Sequence, residues 1–195
     1  MYNAQLTAGA LRISESRLIA GLLLDGVSEK EWRQAIYREN VLQTRSPKTA
    51  KRISVLIRGR LSKVYPPLLK LIKEGTAVEA THACLASAIK ASPLLGDFLD
   101  TTLRDQYRMF HEVLSRRLWQ DFLQECRGRD PEMPQWSEST IVRVRSSVYS
   151  ILAEAGYIEN TKTRKLQRVH IVKPVLNYLK QYDEDYVLRC IEVAP

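Results

Sequence analysis

Apolar residues recur at intervals of three and four along nearly the whole chain, which is the spacing of one face of an α-helix. Only eight glycines and eight prolines interrupt 195 residues, and no heptad repeat persists. The pattern therefore predicts a mainly α fold, a helical bundle. We expect an N-terminal helix-turn-helix-like part and a C-terminal winged-helix-like part with a small β-hairpin.

Three short helices are predicted near the start of the chain. The first runs from about residue 14 to 25 and ends before Gly26. A capping box of Ser28 and Glu31 begins the second helix. Ser46 and the proline after it are favoured at a helix start and begin the third. Three capped helices in succession are compatible with a helix-turn-helix arrangement.

The middle of the chain continues the helical pattern from Pro66 to about Glu125, with breaks at 75–76 and 92–93. Its apolar stripes are typical of a bundle core. The composition of residues 127–135, RGRDPEMPQ, indicates a linker. We therefore divide the chain into a helix-turn-helix-like part (1–65), a bundle core with linker (66–131) and a winged-helix-like part (132–195).

The last part has a distinctive order of features. One capped helix is predicted from Trp136 to Gly156, followed by an apolar Tyr-Ile pair and the basic turn NTKTRK, residues 160–165. Residues 168–171 then alternate between polar and apolar side chains, as in a strand. This order is that of a winged helix, and an ordinary charged surface hairpin is the alternative. A helix from Pro174 to about residue 181 follows, and the final stretch is either a short helix or a strand.

The charge is positive and unevenly placed. The chain has 30 Lys and Arg against 22 Asp and Glu, a net charge of +8. No acidic residue occurs at 41–73 or at 160–182, although both stretches are rich in Lys and Arg. A basic protein favours a polyanionic partner, and nucleic acid is the first choice over an acidic membrane surface or an acidic protein.

The third helix separates an apolar side from a basic side on a helical wheel. The apolar side consists of Ala50, Ile53, Ile57, Leu61 and Val64. Arg60 falls on this side, so we expect a structural role for it, either ion-paired or lying along the apolar surface. Solvated helices usually carry Glu–Lys pairs, and their absence here favours phosphate contact over a solvated basic face.

The helix before Gly156 also has two faces. Ile141, Val148, Leu152 and Ala155 are predicted to point inward, and Ser139, Arg143, Ser146 and Ser150 outward. Small hydroxyl side chains beside an arginine allow close approach to a nucleic acid, although a neutral solvent face is the alternative. The candidate DNA-contacting residues on the two surfaces are Arg45, Lys48, Lys51, Arg52, Arg58, Lys63, Arg143, Ser146, Lys162, Arg164, Lys165 and Arg168.

The sequence offers little for catalysis, metal binding or secretion. It contains no glycine-rich phosphate loop, no G-x-S-x-G and no H-E-x-x-H, and its carboxylates are scattered. We therefore expect no enzyme activity, no metal site and no cofactor. Three widely spaced cysteines indicate reduced thiols, and no signal peptide is recognised. The longest apolar run, Leu18–Leu24, is far shorter than the roughly 20 residues of a membrane span. A cytoplasmic protein without membrane insertion is expected.

The N-terminal third carries a family resemblance. LTAGALRISESRLIAGLLLDGVSEKEW, followed by RENVLQTRSPKTAKRISVLIRGRL, resembles the BrxA family, small helical proteins of BREX phage-defence gene clusters. The rest of the chain fits by length and by its helical, winged-helix-like end. The resemblance implies a non-enzymatic, DNA-binding accessory component that acts with a methyltransferase, an ATPase and other BREX components. It supplies no catalytic motif.

Two functions follow from these observations. The first is binding of double-stranded DNA through two basic surfaces within a defence assembly. The second is a helical protein–protein adaptor whose basic faces dock acidic subunits. RNA binding is a weaker third hypothesis, because no aromatic-bearing sheet motif is visible.

Overall fold

The computed structural model describes residues 2–4, 6 and 9–193, and these residues are mainly helical, as predicted. They form eleven α-helices: α1 (Ile13–Leu24), α2 (Glu29–Arg33), α3 (Pro47–Leu61), α4 (Pro66–Glu74), α5 (Ala77–Ala91), α6 (Pro93–Asp97), α7 (Arg104–Arg108), α8 (Arg117–Arg129), α9 (Glu138–Glu154), α10 (Lys173–Gln181) and α11 (Asp185–Ile191). A π-helical stretch, Gln34–Arg38, extends α2, and another, Phe98–Leu103, joins α6 to α7.

A single apolar cluster runs through the described part of the chain and takes buried residues from all eleven α-helices. Helix α5 lies at its centre, and residues 82–89 are buried without interruption. It packs against α1, α3, α4, α10 and α11. A helix that is buried on all sides needs an apolar or small residue at nearly every position. The sequence HACLASAI meets this requirement, and Ser87 donates its hydroxyl to the Cys84 carbonyl.

The predicted helix starts and stops are confirmed where the signal is local. The Glu31 N–H donates to Ser28 Oγ at 3.3 Å, and the Ser28 N–H donates back to Glu31 Oε2 at 2.7 Å. Ser46 Oγ caps α3 by accepting the Thr49 N–H at 3.3 Å. Gly26 follows α1 with a φ of 62°, in the left-handed region where glycine carries no steric penalty.

The expected helix through the region before Glu125 is interrupted, which corrects the sequence prediction. Helix α7 ends at Arg108, residues 109–116 are not helical, and α8 begins at Arg117. The Phe110 φ is 55°, and the His111 N–H donates to the Gln106 carbonyl at 3.0 Å. This is a helix-ending motif that usually has glycine in the left-handed position. Helix α8 also extends into the predicted linker as far as Arg129.

The predicted β-hairpin is wrong as a strand pair, because the described residues contain no strand. Two isolated antiparallel bridges are found instead, Ile158 with Leu166 and Val113 with Lys165. The segment around Leu166 therefore lies between the segment at Ile158 and the segment at Val113. The Tyr107 hydroxyl donates to the Gln167 carbonyl at 2.7 Å. The Gln167 carbonyl thus accepts from a side chain, and not from the backbone N–H that a longer strand ladder would supply.

The first dozen residues, where described, lie along the surface of several helices. The Leu11 N–H donates to Glu154 Oε2 at 2.7 Å, and Arg60 Nη1 donates to the Ala10 carbonyl at 2.8 Å. The Tyr2 N–H donates to Asp130 Oδ2 at 3.1 Å. The N-terminal segment is therefore held by residues that are 50 to 143 positions away in the sequence.

Across residues 2–4, 6 and 9–193, no helix has the length and apolar character of a bilayer-crossing segment.

The three cysteines, Cys84, Cys126 and Cys190, are free and buried. Burial raises the pKa of these thiols to about 12, 11 and 12 respectively, so they stay protonated at neutral pH.

Candidate nucleic-acid interface

Helix α9 divides into a buried and an exposed face largely as predicted. Val148, Leu152 and Ala155 are buried, whereas Ile141 is only partly so. The outward residues Ser139, Arg143 and Ser146 are exposed, and Ser150 is half-buried. Because most outward side chains are short, a ligand can come close to the helix backbone along this face.

The end of α9 is fixed by the glycine that the sequence pointed to. Gly156 has a φ of 85°, and its N–H donates to the Ala153 carbonyl at 3.2 Å. The next N–H, of Tyr157, donates to the Leu152 carbonyl at 2.9 Å. These are the two bonds of a Schellman cap. Tyr157 and Ile158 are buried, so the chain enters the basic turn from a fixed point.

The basic turn, residues 160–165, is tied down by its own side chains. Asn160 Oδ1 accepts the N–H groups of Lys162 and Thr163, each at 2.9 Å. Arg164 has a φ of 55°, and its Nε donates to the Leu114 carbonyl at 3.0 Å. Its Nη1 donates to the Lys162 carbonyl at 2.9 Å. Arg164 therefore attaches the turn to the segment before α8, a structural role that the sequence did not reveal.

Helix α9 and the basic turn enclose a cleft of about 270 Å³. This α9 cleft is lined by Arg116, Arg145, Ser146, Tyr149, Ser150 and Thr161. Its donors come from three separate segments: the residues before α8, the outer side of α9 and the turn. No Asp or Glu is among these lining residues.

The electrostatics of the α9 cleft are dominated by arginine. Burial raises the pKa of Tyr149 to about 12, while the positive charges of Arg164, Arg145 and Arg116 act in the opposite direction. The phenol therefore stays neutral at pH 7 and donates to the Ser115 carbonyl at 3.0 Å. The guanidinium groups of Arg116 and Arg145, together with serine and threonine side chains, form a suitable environment for a phosphate group.

Not all predicted residues of the C-terminal part lie at this cleft. Lys162 is exposed in the turn. Lys165 and Arg168 line a different cleft, of about 380 Å³, together with Tyr107 and Phe110. Phe110 is 84% exposed. Lys165, the last residue of the turn, and Arg168 therefore extend the basic surface beyond the α9 cleft, although Glu112 also lines this second cleft.

The basic side of α3 is exposed at most of the predicted positions. Arg45, Lys48, Lys51, Arg52 and Lys63 are all exposed. The inward positions Ala50, Ile53, Ile57 and Leu61 are buried, which confirms the helical-wheel assignment within α3, whereas Val64 lies beyond the end of the helix and is only partly buried.

Two arginines of α3 have intramolecular partners. Arg58 pairs with Glu29 at 2.9 Å, and its guanidinium carbon lies 4.4 Å from the centre of the Trp32 ring. Arg60 is buried and donates to the carbonyls of Gly9 and Ala10. Burial lowers its pKa to about 10, so it remains charged at pH 7. The expected structural role of Arg60 is confirmed.

Comparison with known proteins shows the family of this chain. The BrxA family model matches residues 1–183. The chain belongs to the BrxA family. A relative named BREX protein BrxA from Paramagnetospirillum magneticum is 50% identical over 193 residues, which cover 99% of this chain and 97% of the relative. Another BREX protein BrxA, from Escherichia coli O9:H4, is 35% identical and covers 91% of this chain and 85% of its own length.

A solved structure extends the family likeness to the fold. The crystal structure of an uncharacterized protein from Magnetospirillum magneticum matches with a TM-score of 0.93 and 48% sequence identity, and the match covers 99% of both chains. The architecture of this BrxA-family chain is thus shared over its length with a relative of known structure.

Sequence reasoning missed four residues of the α9 cleft: Tyr149, Thr161 and the two arginines, Arg116 and Arg145. Arg145 lies two positions after Arg143 and therefore falls on another side of the helical wheel, where it is half-buried. The sequence pattern predicts a continuous helix through Arg116, whereas this residue lies just before α8. The repeat VRVR at 142–145 places a second arginine close to Arg143, and this is the local feature that could have indicated Arg145. No local pattern links Arg116 to Thr161, because only the fold brings them together.

Proposed function

We propose that this BrxA-family chain is a BREX component that binds double-stranded DNA and acts in phage defence with other BREX components, such as methyltransferase and ATPase subunits. The α9 cleft is the observation that carries the proposal. Its arginines and hydroxyls match the groups that contact phosphate oxygens, and its lining has no carboxylate to repel them. The family relationship supports the assignment to BREX.

The order of elements supports a winged-helix-like use of the C-terminal part. Helix α7 is followed by the bridge at Val113, then by α8, α9 and the paired segments at Ile158 and Leu166. A winged helix has the same order, with its third helix in the groove and its turn on the backbone. In this proposal Arg143 and Ser146 of α9 face the groove.

The phosphate contacts in the proposal come from Arg116 and Arg145 in the cleft and from Lys162 in the turn. Arg164 positions that turn, while Lys165 and Arg168 extend the basic surface at its side. The exposed cations of α3 add to the field that steers DNA towards the protein. They give weaker support for direct contact, because several of them border an apolar groove that a phosphate backbone does not require.

We propose an accessory role within BREX, which the family relationship supports. The described residues contain no cluster of three or more His, Cys, Asp or Glu that could hold a metal ion. The second candidate function is a protein–protein adaptor, and exposed apolar side chains next to basic residues, such as Val55 and Phe110, favour it.

A salt series with a fluorescent duplex tests the first proposal. If about five to eight side chains neutralise phosphates, the plot of log K against log salt should have a slope of about −4.5 to −7. Duplexes of unrelated sequence should bind about equally, because phosphate contacts carry no base information. The absence of duplex binding at low salt, or an affinity independent of salt, would show that the basic surfaces serve another partner.

A further inference from the structure

An apolar groove of about 620 Å³ lies along the exposed side of α3. Helix α3 lines it with residues that include Val55, Leu56 and Gly59, and Leu6 and Ala91 line it from other parts of the chain. We call this the α3 groove. Val55 is 62% exposed, so the groove presents apolar surface to solvent. A scattered exposed valine is ordinary, but one that joins other apolar residues in a concave site marks a place of contact.

Gly59 keeps this groove open. Apart from Gly59, its chain neighbours and the nearby backbone of α3, no atom lies within 4 Å of the place that a Cβ at Gly59 would occupy. A glycine inside a helix costs about 1 kcal/mol relative to alanine, and here no steric contact within the protein requires it. From Lys48 to Gly59 the wall spans about 16 Å at 1.5 Å per residue, which is three helical turns.

One end of the α3 groove is strongly basic. Lys48, Lys51 and Arg52 line it, and no Asp or Glu is among the described lining residues. None of these three cations takes part in an ion pair within the part of the chain that the structure describes. Lys48 also lies in the first turn of α3, which has no acidic residue. Positive charge is unfavourable at a helix N-terminus, so a bound anion would relieve a repulsion there.

We propose that the α3 groove binds an amphipathic segment of a partner protein. Apolar side chains of that segment fill the space beside Val55 and Gly59, and its carboxylates pair with Lys48, Lys51 and Arg52. A helix of about three turns matches the length of the wall and recognises grooves in this way. A DNA backbone has charge but no apolar face to cover the exposed valine, which is why a protein segment fits this surface better.

Site-specific crosslinking in cells that express the whole set of BREX components tests the proposal. A photoreactive p-benzoylphenylalanine is placed at Val55, and the crosslinked peptide is identified by mass spectrometry. The expected product is an acidic, apolar peptide of another protein. Its yield should fall at least tenfold when Gly59→Leu fills the groove, and also in the variant Lys51→Glu/Arg52→Glu. Gly59→Ala is the matched control, and it should retain the crosslink and melt at the same or a higher temperature.

The other outcomes overturn the proposal. These are crosslinks to DNA, to lipid or to a second copy of this chain, or a yield no higher than with the photoreactive residue at the exposed Val78 of α5. A yield unaffected by Gly59→Leu in a variant of unchanged melting temperature would also contradict it. DNA affinity is measured on the same variants and should stay unchanged for Gly59→Leu. A failure of DNA binding through the α9 cleft is thereby distinguished from a failure of this proposal.

Discussion

The α9 cleft gives the sharpest prediction about DNA binding. The double variant Arg116→Gln/Arg145→Gln loses two guanidinium charges that line the cleft but keeps polar side chains at both positions. Arg116 is exposed and Arg145 is half-buried, and Arg164, which attaches the turn, stays in place. The fold should therefore be retained while two phosphate contacts are lost.

The size of the effect follows from counterion release. Each contact contributes about 0.9 to the salt slope, so the double variant should have a slope smaller by about 1.8. At 0.1 M salt, the same relation makes each contact worth roughly a factor of 8, and the two together should weaken binding on the order of 60-fold.

Fluorescence anisotropy with one duplex at four or more salt concentrations measures both quantities. The matched control is Arg33→Gln/Arg38→Gln, which removes the same net charge from exposed positions on α2 and its π-helical extension. The control should change the slope by much less than the cleft variant. Equal effects of the two variants would refute the assignment, since binding would then depend on net charge alone.

Three further predictions concern stability. Ile57→Ala removes a fully buried side chain and should lower the free energy of unfolding by about 2–5 kcal/mol in urea titrations. Tyr107→Phe leaves the Gln167 carbonyl without its hydroxyl donor, which should cost on the order of 1–3 kcal/mol and speed amide exchange at residues 164–167. Burial lowers the pKa of His82, whose Nδ1 accepts the Val172 N–H, so the unfolded chain binds the proton more readily. Stability should thus fall as the pH drops below about 6.5, and His82→Gln should reduce that dependence.

The features that the sequence predicted correctly depend on neighbouring residues. The Ser28–Glu31 capping box and the left-handed Gly156 each complete their hydrogen bonds within a few positions. The faces of α3 could be assigned because a regular helix converts sequence spacing directly into direction. In each case the helix end or the buried face is determined by residues within a few positions of each other.

The features that escaped prediction either lack a local sequence signal or depend on distant residues. Helix α7 ends at a left-handed Phe110, for which the sequence gives no glycine or proline signal. The expected hairpin is limited to isolated bridges, and the Tyr107 hydroxyl donates to the Gln167 carbonyl beside them. The α3 groove needs Leu6 and Ala91 beside α3, an arrangement that only tertiary packing creates.

The attachments of the N-terminal segment have a consequence for the order of folding during synthesis. Arg60, which donates to the Ala10 carbonyl, is synthesised only 50 residues after Ala10. The Glu154 carboxylate that accepts the Leu11 N–H is separated from it by 143 residues. Closing so long a loop is entropically unfavourable until intervening helices have packed. This segment is translated before the residues that hold it and is therefore among the last to become fixed, and a nascent chain stalled before α9 would leave it exposed to proteases.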